Sequence, residues 1–128
     1  MMVDMPDAVW KSAPEEHDYP AAVGYLSLLA SDSEVTRMVA ELRAAPITHQ
    51  MAKDILRASM LPLLPMDNAH VAGDLHKIKT GHLLSPVLLV RGDLTTGRPL
   101  QIADGYHRVC ASFHHDENTD IPCQLITA

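Results

Sequence analysis

Five consecutive residues carry the most visible chemistry in the chain: Asp104-Gly105-Tyr106-His107-Arg108. They join an alternating stretch, Leu100-Gln101-Ile102-Ala103, to a stretch of helical spacing in which Val109, Ser112 and Phe113 share one face. A glycine at such a join lets the backbone come close to another group. The first turn of the following helix presents unpaired N–H groups and the positive end of the helix dipole. His107 and Arg108 add two side chains of cationic type. The combination describes an anion site, with phosphate as the expected ligand and the backbone N–H groups of Tyr106 and His107 beside it. The ordinary alternative is a plain strand–turn–helix in which Asp104 only caps the helix.

Phosphoryl chemistry needs further positive groups around the anion, and usually Mg²⁺. Lys53, Arg57 and Arg91 are the second-tier candidates, of which Lys53 and Arg57, with Asp54 between them, could place a cation and a carboxylate over the turn, although surface salt bridging explains them as well. Eight histidines invite a metal reading, but no Cys-x-x-Cys or His-x-x-x-His spacing occurs, and His70 and His76 are six apart on one expected helix. There is no Gly-x-Ser-x-Gly and no P-loop, so neither a serine hydrolase nor an ordinary NTPase is supported. Cys110 and Cys123 lie in apolar contexts and read as buried, reduced thiols.

The elements that must position the turn can be taken in order. Residues 1–20 form an acidic, proline-punctuated arm, with Trp10 available to pin it to the body. Residues 21–59 read as a helical extension. Within it Ala21–Ala30 is a short apolar helix, and Ser31-Asp32-Ser33-Glu34 has capping-box spacing ahead of a helix that places Val35, Met38, Val39 and Leu42 on one face. Pro46 stops that helix, and the two pair as a hairpin. Ile47–Ser59 is expected as a third helix, with Met51, Ile55 and Leu56 inward.

Residues 60–128 alternate strands and helices. Leu61–Pro65 suits an edge strand or extended segment, and Asp67-Asn68 caps a helix that Gly81 ends. Pro86–Val90 is a continuous apolar run, as expected of a strand covered on both faces. A turn over Gly92–Gly97 returns the chain along Arg98–Ala103, and Ile121–Ile126 is the last strand. The expected fold class is α/β (α+β): a small mixed sheet with packed helices and an N-terminal helical hairpin.

Composition narrows the function classes. At 128 residues the chain has room for one domain with a real core. The net charge of −6 is uneven, with eight acidic and three basic residues in 1–46 against eight and seven in 47–128. No basic field for nucleic acid is present, so direct DNA binding is not expected. No apolar run approaches the roughly 20 residues of a membrane helix. Met1–Asp7 lacks the basic start of a signal peptide, so a cytoplasmic protein is expected.

The order of these pieces resembles the ParB/sulfiredoxin-like superfamily, in its ParB-like N-terminal domain form. The resemblance rests on Leu61-Pro62-Leu63-Leu64, on Gly81-His82-Leu83-Leu84-Ser85-Pro86 followed by Val87–Val90, on Ile102–Ala111 and on Ile121-Pro122-Cys123. It spans roughly residues 60–126. It implies a nucleotide-phosphate site at the glycine turn. Sulfiredoxins carry a catalytic cysteine immediately before His-Arg, where this chain has Tyr106, so their chemistry is not implied. Centromere-binding members read Gly-Glu-Arg-Arg-x-Arg, and only Gly105, Arg108 and Ala111 agree with that pattern and its surroundings. The DNA-binding and dimerisation domains that follow in those proteins are not expected here. The local pattern is most similar to the Asp-Gly-His-His-Arg of the free serine kinases in the superfamily, matched by Asp104, Gly105, His107 and Arg108, with Tyr106 departing. That similarity implies a general-base or metal-binding role for Asp104.

The leading expectation is a nucleotide- or phosphate-binding protein that carries out phosphoryl transfer or nucleotide hydrolysis at this turn. Asp104 would be catalytic, and Gly105, Tyr106, His107, Arg108, Lys53 and Arg57 would hold the ligand. The cofactor would be ATP, ADP or CTP with Mg²⁺, and the partner a small phosphorylated molecule. The alternative is a non-catalytic ligand-binding or interaction module whose N-terminal helices serve a partner or a homodimer.

Overall fold

The computed structural model describes residues 6–128, so the first five residues of the acidic arm lie outside the description. In chain order the elements are β1 (Val9–Trp10), α1 (Asp18–Leu26), α2 (Asp32–Ala44), β2 (Ile47–Met51), α3 (Ala52–Ser59), α4 (Ala69–Thr80), β3 (Leu83–Leu84), β4 (Val87–Val90), β5 (Gln101–Asp104), α5 (Tyr106–His115) and β6 (Asp120–Ile126). This is an α+β fold built on a mixed four-stranded sheet of order β2-β6-β4-β5. β4 runs parallel to β6 and antiparallel to β5, and β2 is antiparallel to β6.

The apolar run at β4 explains the layering. All four of its side chains are buried. Alternation sends Val87 and Leu89 into one core, with Ile55, Val71, Ile78, Val109 and Ile121 from the α3, α4, α5 and β6 elements. Leu88 and Val90 enter a second core, with Leu26, Val35, Met38 and Leu42 from α1 and α2. Each such side chain, fully buried, contributes about 1.5–3 kcal/mol. The buried polar Gln124 of β6 is satisfied in the second core: Tyr19 donates its hydroxyl to Oε1 at 2.7 Å, and Nε2 donates to the Ala45 carbonyl at 3.0 Å.

Several sequence signals act where they stand. The Ser31 hydroxyl caps α2 by accepting from the Glu34 amide at 3.4 Å. Asn68 caps α4 by accepting from the His70 and Val71 amides, and Gly81 closes it at φ 75°. Trp10 pins the arm through the parallel pairing of β1 with β3 and packs on the first core. Cys110 and Cys123 are free and fully buried.

Two expectations need correction. Ile47–Ser59 is not one helix: Ile47–Met51 is a strand, and the helix begins at Ala52. Its β-branched start, Ile47-Thr48, follows Pro46 and finds an antiparallel partner in β6, which outweighs a helical pattern that only Ile55 and Leu56 satisfy. The sheet therefore takes its outer strand from the stretch read as helical extension. The first helix starts at Asp18, three residues before the expected Ala21, and ends at Leu26. Pro20 is accommodated because the first turn of a helix has no amide partner to lose. Leu61–Pro65 takes the second of its two expected forms, an extended segment that pairs with no strand.

The N-terminal helices are also not a free appendage. They cover one whole face of the sheet and supply most of the second core.

Candidate functional site

β5 and α5 meet at Gly105, which adopts φ 107°, a left-handed conformation that disfavours any side chain. A Cβ here would also lie 2.5 Å from Val87 Cγ1 and 3.0 Å from Arg108 Nη2. The backbone thus passes tightly over β4 before turning into the helix. Just before the turn, the β4–β5 register slips: Leu88 pairs with Asp104 but Leu89 with Ile102. The slip leaves Ala103 as an extra residue on β5, a local bulge of the kind that re-aims neighbouring side chains.

Gly105 is the N-cap of α5, and no side chain caps that end. Asp104 is therefore not the helix cap. Its carboxylate accepts a hydrogen bond from Arg108 Nη2 at 2.9 Å. The same Nη2 lies 3.4 Å from the Pro86 carbonyl and 3.9 Å from the Asp18 carboxylate. Asp18 is itself buried and accepts from the Ser85 hydroxyl. Arg108 Nε is buried without a partner. Burial pushes the Asp104 carboxyl above its ordinary value; Arg108 opposes the shift and Asp18 adds to it.

These groups line a polar cleft of about 210 Å³ formed by His70 and Asp74 of α4 together with Asp104, Gly105, His107 and Arg108. The His70 and His107 rings stand 4.8 Å apart between centroids, tilted by 47°. Asp74 is also raised by burial, against the opposing charges of Arg108 and Lys77. The cleft thus combines a helix N-terminus, a guanidinium, two imidazoles and two carboxylates whose neutral forms are favoured. Such a set can bind an oxyanion and exchange a proton with it.

Of the residues expected at the site, Asp104, Gly105, His107 and Arg108 are brought together. Lys53, Arg57 and Tyr106 do not line the cleft. Lys53 and Arg57 line a different hollow beside Leu56, Met60, Leu61 and Phe113, Arg57 pairs with Asp54 at 3.2 Å, and Arg57 and Arg91 both line a third cleft at the other end of β5. The reason is the strand at 47–51, which restarts the helical register at Ala52. The Tyr106 hydroxyl donates to the Pro62 carbonyl at 2.5 Å, so its ring straps the 61–65 segment onto α5. His114 reinforces the strap through Nε2, 2.7 Å from the Leu64 carbonyl.

Asp18, His70, Asp74 and Ser85 were not visible as site residues. His70 and Asp74 are four apart and so share a helix face, which was the available signal. Nothing local marks Asp18 or Ser85. Among the described residues, no group of three or more His, Cys, Asp or Glu side chains is arranged to hold a metal ion alone. No helix among the described residues is long and apolar enough to cross a membrane. No protein-family model, curated protein or solved structure matches the chain.

Proposed function

We propose that the α5 cleft binds the phosphate of a nucleotide such as ATP, ADP or CTP, or of a small phosphorylated molecule, and that Asp104 acts as base in phosphoryl transfer or nucleotide hydrolysis. One observation carries this reading: an uncapped helix start, His107, Arg108 and a carboxylate raised by burial converge on one cleft. At about 210 Å³ the cleft suits a phosphoryl group, with the rest of the ligand outside. The first-turn amides and Arg108 hold the phosphate oxygens. Asp104 takes the proton of the attacking hydroxyl or water, whose oxygen bonds to phosphorus as the bond to the leaving phosphate oxygen breaks. Mg²⁺, taken up with the phosphate and one or both of Asp74 and Asp104, would neutralise charge on the leaving group. The resemblance to ParB/sulfiredoxin-like domains, and to free serine kinases at the turn, supports the same proposal.

A specific observation favours a second reading. Arg108 already faces the carboxylates of Asp104 and Asp18, which suits a clamp for the fold in a non-catalytic module. Melting the chain against a nucleotide panel, with and without Mg²⁺, separates the two. Ligand at 100 times its dissociation constant adds about 2.7 kcal/mol of stability. In calorimetry on folded protein, Arg108→Ala should lose about 1.5–3 kcal/mol of nucleotide affinity. Asp104→Asn should spare binding and abolish turnover. Unchanged affinity in Arg108→Ala ends the phosphate-site reading, and intact turnover in Asp104→Asn removes the base.

A further inference from the structure

The larger cleft of the molecule lies at the opposite end of β5 and shares no residue with the α5 cleft. It measures about 640 Å³, within the usual range for a small-molecule site. Its floor is apolar, formed by Ile55 of α3, Leu89 of β4, Leu125 of β6 and Leu100 at the start of β5. Beside that floor stand Arg91 and Arg98, from the two sides of the loop that joins β4 to β5, together with Asp93 of the same loop and the Arg57–Asp54 ion pair.

The arginines are distributed unevenly by partner. Arg37, Arg43, Arg57 and Arg108 each pair with a carboxylate. Arg91 and Arg98 are the remaining two arginines of the sequence, and neither forms an ion pair among the described residues. In a chain of net charge −6, the two arginines that form no ion pair among the described residues both line this cleft, where three arginines meet two carboxylates.

The backbone beneath them is held in place. The Arg91 amide donates to the Ile126 carbonyl at 2.8 Å, which prolongs the β4–β6 ladder. The Asp93 amide donates to the Arg98 carbonyl at 2.8 Å and closes the neck of the loop. The Leu100 amide donates to the Ala58 carbonyl at 3.0 Å and fastens the returning strand to α3. A Cβ on Gly92 would overlap the Arg98 carbonyl and the Pro99 backbone, so the two sides of the neck abut. The two arginines therefore leave a fixed frame.

We propose that this cleft binds a small organic anion, a carboxylate or phosphate monoester joined to an aliphatic or aromatic body. Arg91 and Arg98 take the anionic head, whose oxygens match the planar guanidinium fork, and the apolar floor takes the body.

Calorimetry on the full chain with octanoate and with phenyl phosphate tests the assignment. At least one should bind saturably, and each arginine removed, as Arg91→Gln and Arg98→Gln, should weaken it about tenfold. The double variant should melt like the unsubstituted chain, because neither arginine has a partner to lose. Acetate, a head without a body, and octylamine, a body with the opposite charge, should not compete. Absence of binding by both probes at millimolar concentration overturns the proposal. So does equal affinity in the double variant, or displacement by octylamine as effective as by octanoate.

Discussion

The two ends of β5 are built on opposite principles. At its C-terminal end, Asp104 leads into a small polar cleft whose arginine is already matched to carboxylates within the protein. At its N-terminal end, Leu100 leads out of a larger cleft with an apolar floor and two arginines, Arg91 and Arg98, that form no ion pair among the described residues. A cation neutralised by its own protein is held in one geometry, which suits orienting a reacting group. An unmatched cation above an apolar floor leaves its charge for a ligand. The two arrangements differ also in what they cost the fold. Paired groups under cover become liabilities when one partner is removed, whereas exposed unpaired ones do not.

The largest expected effect follows from that contrast. Arg108→Ala strands Asp18, which is buried, and Asp104, which is nearly so. It should cost about 3–5 kcal/mol of stability in denaturant titration, the range for breaking a buried pair. Arg98→Ala should stay within about 0.5 kcal/mol of the unsubstituted chain, as surface changes do. Equal losses for the two would erase the distinction between the ends.

Glycines provide the next test. Gly105→Ala meets both a left-handed backbone and Val87, and should cost about 2–4 kcal/mol. Gly97, in the loop at the other end, is also left-handed at φ 77° but has open space around its Cα. Gly97→Ala should therefore cost only the conformational part, about 1–2 kcal/mol. Thermal or urea unfolding of the pair reads the difference as the packing contribution at Gly105.

The smallest effect is a dependence on pH. Burial favours the neutral form of Asp74, so its carboxyl titrates above the ordinary 3.8 in the folded chain. The folded state then holds this proton more tightly than the unfolded state. Ionised Asp74 costs stability at neutral pH, and the cost fades as the pH falls through the folded value toward 3.8. Asp74→Asn should melt slightly higher than the unsubstituted chain at pH 7, with the gap closing on acidification. Asp74→Asn melting lower than the unsubstituted chain at pH 7, with that deficit closing on acidification, would mean that the charge partners, not burial, dominate at this end.

Much of this was legible before any coordinates. The run Pro86–Val90 could only be a strand covered on both faces, because four consecutive apolar side chains alternate to opposite sides and each must be buried. Ser31, Asn68 and Gly81 marked helix ends because capping depends on local donors and acceptors. Gly105 marked the strand-to-helix turn for a similarly local reason, a backbone conformation that other residues resist. The core of the α5 cleft, Asp104 to Arg108, followed from that turn.

The rest depended on partners distant in the chain. The strand at 47–51 exists because β6, more than seventy positions later, offers it a ladder, and no local period announces such a partner. That strand restarts the following helix at Ala52, which is why Lys53 and Arg57 miss the glycine turn at Gly105. Asp18 and Ser85 reach Arg108 across gaps that short-range spacing cannot sense. The sequence alone determined the β4 strand, the caps of α2 and α4 and the glycine turn before α5, since those rest on neighbouring dihedrals, alternation and local hydrogen bonds. Only the tertiary structure decided which charges are neutralised and which remain open, because that depends on side chains meeting across the folded sheet.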